Sequence, residues 1–224
     1  MDLGLMCANI AKLWTNYWHI YLIEGVLTTL KLTVFAVVLG ALLGVVVAML
    51  KMSKSKIIRF LITAYIEIIR GTPLLLQLML FYFVLPELIP IFDFSEFTWV
   101  AIALCINSSA YVSEIFRSGI QSVDKGQTEA ARSLGLSGKQ TMLRIVMPQA
   151  IKNILPALGN EFIMMLKETS LASTFFIGDL MTSHLIVKGA TFLMLESLII
   201  TGVIYFCMTY PLSKLVEAFE RKMK

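Results

Sequence analysis

Long apolar runs separated by short charged links constrain this chain more than any other feature. Residues 24–50, 57–85, 97–119, 146–166 and 190–213 each carry enough continuous apolar side chains to cross about 30 Å of hydrocarbon as a helix. Across all 224 residues, 58% are hydrophobic and only 15% charged, with a mean hydropathy of +0.80. A soluble domain carries about a quarter charged residues, so the expected fold class is an all-α integral membrane protein with about five transmembrane helices. Only helices or closed barrels satisfy every backbone polar group in lipid, and runs of this length fit helices.

The runs differ in regularity. The first contains Gly40 and Gly44, a small-xxx-small face that lets another helix approach closely, including one from a second subunit. The second is broken by Gly71-Thr72-Pro73, where its helix should bend or restart, and Pro86 and Pro90 end it. Pro156 lies inside the fourth. Residues 167–189 read as a non-spanning connection with a short interfacial helix around 176–187. Before the first run, Ile10, Trp14, Tyr17, Trp18 and Tyr21 recur at helical spacing. That stripe suits either a helix at the headgroup boundary or an extension of the first crossing. Asp2, in place of a basic start, argues against a cleaved signal peptide. The expected organisation is an interfacial segment at 1–23, a transmembrane domain at 24–213 and a tail at 214–224.

Orientation follows from Lys and Arg. Lys51, Lys54, Lys56 and Arg59 flank the first link, a second basic group surrounds residues 117–152, and a third lies in the tail. The link 86–96 has none and carries Glu87, Asp93 and Glu96. Positive charge accumulates on the cytoplasmic side, so the N-terminus is expected outside and the C-terminus inside. The three cysteines, Cys7, Cys105 and Cys207, have no metal or redox spacing. His19 and His184 read as surface histidines without partners. No G-x-x-x-x-G-K-[ST] segment occurs, so no phosphate-cradling loop, and no catalytic constellation, is expected in this chain.

The cytoplasmic link at about 120–147 is unusually punctuated for a membrane-protein loop. Residues 127–134 favour a short helix, Gly135 can take the left-handed conformation that stops it, and Ser137-Gly138 turns the chain into a second helix. Glu129-Ala130-Ala131, three residues, Gly135, nine residues, then Ile145-Val146-Met147-Pro148 resembles the "EAA" loop of ABC-importer permeases, with Met147 where that pattern usually has Leu. Glu67-Ile-Ile-Arg70-Gly71-Thr72-Pro73, Ala110-Tyr111 through Arg117, Pro156 through Phe162 and Lys167-Glu168-Thr169-Ser170 are similar to the polar amino-acid branch of that family (histidine, glutamine and arginine type), over roughly residues 20–220.

The resemblance implies a multi-pass permease subunit in a prokaryotic cytoplasmic (inner) membrane. ATP and Mg would be bound by separate ATPase subunits docked on Glu129, Ala130, Ala131 and Gly135. An extracytoplasmic amino-acid-binding protein would deliver substrate, and a second permease subunit, preferably identical, would complete the pathway. No nucleic-acid partner is implied. Polar residues placed by helix counting near mid-membrane are the candidate substrate contacts: Glu161, Asn160, Asn107, Glu67 and Arg70. Glu67 and Arg70 are spaced to neutralise each other. Glu161 has no basic neighbour within a turn, which favours a cationic or polar amino acid. The same machinery could carry another small solute such as methionine. An ion-coupled secondary transporter is a further alternative, although no internal repeat is visible.

Overall fold

The computed structural model describes residues 3–223; Asp2 and Lys224, which entered the reading of the two ends, lie outside them. Eight helical segments occupy this range and no strand is present among the described residues: α1 Leu3–Lys51, α2 Lys56–Gly71, α3 Leu74–Leu88, α4 Glu96–Gln121, α5 Lys125–Ser133, α6 Gly138–Phe175, α7 Leu180–Thr191 and α8 Met194–Met223. Three of them, α1, α4 and α8, are individually long and apolar enough to span a membrane. The pairs α2–α3 and α6–α7 pass the same test together but are bent by 106° and 44°, which brings the number of spans to five when each pair counts once.

Two proline positions explain local irregularities. Pro86 and Pro148 have no N–H to offer the carbonyl four residues back, and each lies two residues beyond a π-helical stretch, Leu80–Val84 and Met142–Val146. Pro156 is tolerated inside α6 without a break. Between α2 and α3 the chain leaves the helix at Thr72 and Pro73, both extended, as Gly71-Thr72-Pro73 predicted.

α4 is the central element, packed against α1, α6 and the α2–α3 pair. Leu32, Ala36, Leu78, Val100, Leu104 and Met165 form its buried core. The Gly40/Gly44 face is used here, inside the chain. A Cβ at Gly40 would stand 2.8 Å from the Ser108 Cβ, and one at Gly44 2.7 Å from the Val112 Cβ. Lipid is as apolar as the helix surface, so close van der Waals contact through small residues supplies the attraction between helices. The expectation that this face serves a second subunit is therefore corrected: α4 occupies it.

The N-terminal aromatic stripe divides between two environments. α1 is one helical run through a π-helical stretch at Ile20–Val26. Trp14 and Trp18 are exposed, whereas Tyr21 is fully buried beside Leu13, Leu180 and Ile200. Its hydroxyl lies 2.6 Å from Ser197 Oγ, which in turn lies 2.9 Å from His184 Nδ1. His184 is thus a buried residue with a partner, not a surface histidine. Apolar flanks on α7 hid this from sequence reading, because its Ser197 partner comes from α8. At the other end, α8 stays helical through Met223, so residues 214–223 continue the last helix.

Candidate functional site

Two polar regions stand out against this apolar framework. The first is the link between α4 and α6. Asp124 caps α5 by accepting from the Gly126 amide at 2.7 Å. The helix ends in a Schellman arrangement: Leu136 N–H donates to Ala131 O and Gly135 N–H to Arg132 O, both at 3.1 Å, with Gly135 at φ +84°. Arg132 Nη1 adds a bond to Leu136 O at 2.8 Å. Ser137 and Gln140 then form a reciprocal capping box that starts α6. The Ala130, Ala131 and Arg132 carbonyls and the Gly126 and Gln127 amides at the ends of α5 are thus satisfied within the link itself, which makes it a stiff bracket between α4 and α6. Glu129 and Ala130 are exposed, and Leu134 presents 82% of its surface. Ala131 is buried, so its small size serves the contact of α5 with its own chain instead of an outside partner.

The second region lies along α4 and α6. Glu161 is only 3% exposed and accepts from Ser108 Oγ at 3.0 Å. Asn107, the next residue on α4, donates instead to Gln77 Oε1 at 2.9 Å. Gln77 uses its own amide to bond Ile69 O, Thr72 O and Thr72 Oγ1, at 2.7, 3.2 and 2.9 Å. Those are acceptors at the α2–α3 break, and a carbonyl left bare in lipid is costly. Asn107 is therefore tied to the break, and only Ser108 bridges from α4 to Glu161. Asn160, adjacent in sequence to Glu161, is exposed on another side of α6.

Glu67 and Arg70 do not pair. Glu67 is exposed, while Arg70 lies over the Tyr111 ring at 5.4 Å and 3.8 Å from Glu114. The i,i+3 expectation failed because α2 docks on α4, which offers Arg70 a closer-fitting set of partners. Glu114 also receives Lys51 at 2.6 Å and Arg117 at 2.7 Å, so one carboxylate gathers cations from α1, α2 and α4.

Sequence reading missed three participants: Ser108, Gln77 and Glu168. Glu168 stands seven residues after Glu161, two helical turns along a common face of α6. Its Oε2 has no hydrogen-bond partner among the described residues. It lines an open cavity of about 380 Å³ with Met164, Lys167, Ser170 and Leu171. The seven-residue spacing was the available signal. Among the described residues no group of His, Cys, Asp or Glu has metal-binding geometry. Chemically, the region offers carboxylate acceptors to a small polar cation, whereas the Asn107 and Gln77 amides are already engaged at the helix break.

Comparison with known proteins places this geometry. The chain is 41% identical over 204 residues to the arginine transport system permease protein ArtQ of Bacillus subtilis (strain 168), covering 91% of this chain and 93% of that one. It is 42% identical over 228 residues to the nopaline transport system permease protein NocM of Agrobacterium fabrum (strain C58), covering 98% and 91%. A crystal structure of an amino acid ABC transporter with histidines contains a chain 49% identical, superposing with a TM-score of 0.88 over 93% of this chain and 96% of that one. An inward-facing methionine ABC transporter, at 16% identity and a TM-score of 0.68, shares the fold. The family profile described as "Binding-protein-dependent transport system inner membrane component" matches residues 36–224. With three long apolar helices, two bent apolar pairs and a polar bracket between α4 and α6, this chain belongs to the family of binding-protein-dependent transport system inner membrane components, the permease subunits of ABC importers.

Proposed function

We propose that this chain carries polar, and foremost basic, amino acids inward through a pathway between two permease subunits, powered by ATPase subunits bound to the α5 bracket. The observation that carries the reading is the acidic face of α6. Glu161 is buried with no cation beside it, and Glu168 opens into a cavity two turns further along. A carboxylate in an apolar helix bundle is costly unless paired, and a substrate ammonium or guanidinium is a natural partner. Relatives named for arginine, glutamine and nopaline transport support an amino-acid substrate, and the arginine relative supports a basic one.

In this reading Glu161 and Glu168 accept from the cationic groups, and Asn160 and Lys167 are available to polar and carboxylate groups of the substrate. Asn107, held by Gln77, shapes the helix break, and Glu67 faces the second subunit or the hydrated route. Glu129, Ala130 and Gly135 present the bracket to the ATPase, which binds ATP and Mg. The N-terminus lies outside and the C-terminus inside. An extracytoplasmic binding protein delivers the amino acid, and a second copy of this chain closes the pathway. The decisive experiment reconstitutes permease, ATPase and binding protein in vesicles and measures ATP-dependent uptake across amino acids of each charge class. Uptake of a basic amino acid should fall about tenfold or more in Glu161→Gln, the loss of one charge-assisted bond, while basal ATP hydrolysis persists. Unchanged uptake in that variant would remove Glu161 from the substrate route.

A further inference from the structure

The elbow between α1 and α2 carries a charge pattern that the transport reading leaves unused. From Leu50 to Phe60 the sequence has four cations and no Asp or Glu. Lys51 is held by Glu114. Lys54, Lys56 and Arg59 are exposed, and none of the ion pairs among the described residues includes them. Interleaved with these cations are apolar side chains that nothing in the described chain covers: Ile57 and Phe60 each keep 72% of their surface, and Leu61 keeps 60%.

The course of α2 explains why both kinds of side chain are displayed together. Its 16 residues rise about 24 Å, too short to cross the hydrocarbon unaided. The 106° bend between α2 and α3 means that the two cannot both run along one spanning direction, and the short α2 is the one suited to lie across it. An amphipathic helix so placed puts its apolar flank among acyl chains and its cations at headgroup depth.

We propose that this elbow is a binding site for an anionic phospholipid, with Lys54, Lys56 and Arg59 on the headgroup phosphate and Ile57, Phe60 and Leu61 against the acyl chains. Unpaired cations without a neighbouring anion select an anionic occupant. The apolar side chains between them select an amphipathic one, and a lipid unites both properties in one molecule. The Arg59 guanidinium can engage two phosphate oxygens at once, while Lys54 and Lys56 act as point charges. The site rests on the membrane placement of the chain and is independent of which solute is carried.

The test uses the permease–ATPase complex, with the triple variant Lys54→Gln/Lys56→Gln/Arg59→Gln. Gln keeps helix propensity and removes only charge. Native mass spectrometry after transfer from nanodiscs of phosphatidylcholine, with or without phosphatidylglycerol, counts the lipid retained per protomer. Wild type should retain phosphatidylglycerol in preference to phosphatidylcholine, and the triple variant should lose that preference by about tenfold. Lys214→Gln/Arg221→Gln/Lys222→Gln, a removal of three positive charges in α8, should keep it. Equal retention by wild type and triple variant would overturn the proposal. Displacement of phosphatidylglycerol by inorganic phosphate alone would overturn it in favour of a free-anion site. Loss of the ATPase from the triple variant, with lipid retention unchanged, would overturn it in favour of a protein contact.

Discussion

At the scale of single residues, the membrane-embedded polar groups have distinct roles that their shared depth conceals. Ser108 holds Glu161 in place, so Ser108→Ala should lower stability by about 1–2 kcal/mol, the cost of one bond to a buried carboxyl group. Thermal unfolding in detergent reads this, and an unchanged midpoint would show that Glu161 needs no anchor. Glu114 is a different case, one carboxylate among Lys51, Arg70 and Arg117. Glu114→Gln leaves three cations facing one another. Arg70 and Arg117 side chains are 41% and 40% exposed, so solvent screens part of the repulsion and the expected loss is about 1–3 kcal/mol. A melting point lowered in Glu114→Gln and partly restored in Glu114→Gln/Arg70→Gln would establish the coupling. Of these contacts, the sequence showed the residues and their rarity in an apolar setting. It could not show partners separated by tens of positions, such as Ser108 with Glu161 or Gln77 with Asn107.

Among the elements, the α5 bracket was the most legible, because its signals are local. A helix stop at Gly135 depends on one backbone conformation, and φ +84° there is accessible to glycine at no cost. Gly135→Val should cost about 1–2 kcal/mol locally and weaken ATPase co-purification about tenfold, while α4 and α6 remain inserted. Full assembly in that variant would separate the bracket from coupling. The α1–α4 contact was legible only in part. Gly40 and Gly44 announced a close approach, yet nothing local says which helix arrives. With Ser108 2.8 Å from a Cβ at Gly40, Gly40→Leu should force the helices apart and lower stability by about 3 kcal/mol or more, read as reduced yield and melting temperature. The break at Gly71-Thr72-Pro73 was equally plain, but its 106° angle was not, since packing of α3 on α4 sets it.

For the whole molecule, the spanning helix α4 between the two polar links predicts opposite exposure for them. Ser95→Cys and Ser137→Cys, introduced into a variant lacking native cysteines, should label from the outside and the cytoplasmic side respectively when intact cells are treated with an impermeant thiol reagent before and after lysis. Labelling of both from one side would overturn the orientation drawn from Lys and Arg. The all-helical class, the short helix ending at Gly135 and the family were legible in the sequence alone, because they depend on continuous hydropathy and on punctuation within a few residues. Tertiary structure decided the rest: that Gly40 and Gly44 meet α4, that His184 and Tyr21 turn inward to Ser197, that Arg70 leaves Glu67 for Glu114, and that Glu161 is buried against Ser108 while Glu168 lines a cavity. In an apolar solvent nearly every helix face is tolerated outside, so periodicity does not tell the buried face from the lipid-facing one. Only the packing of one helix on another assigns it.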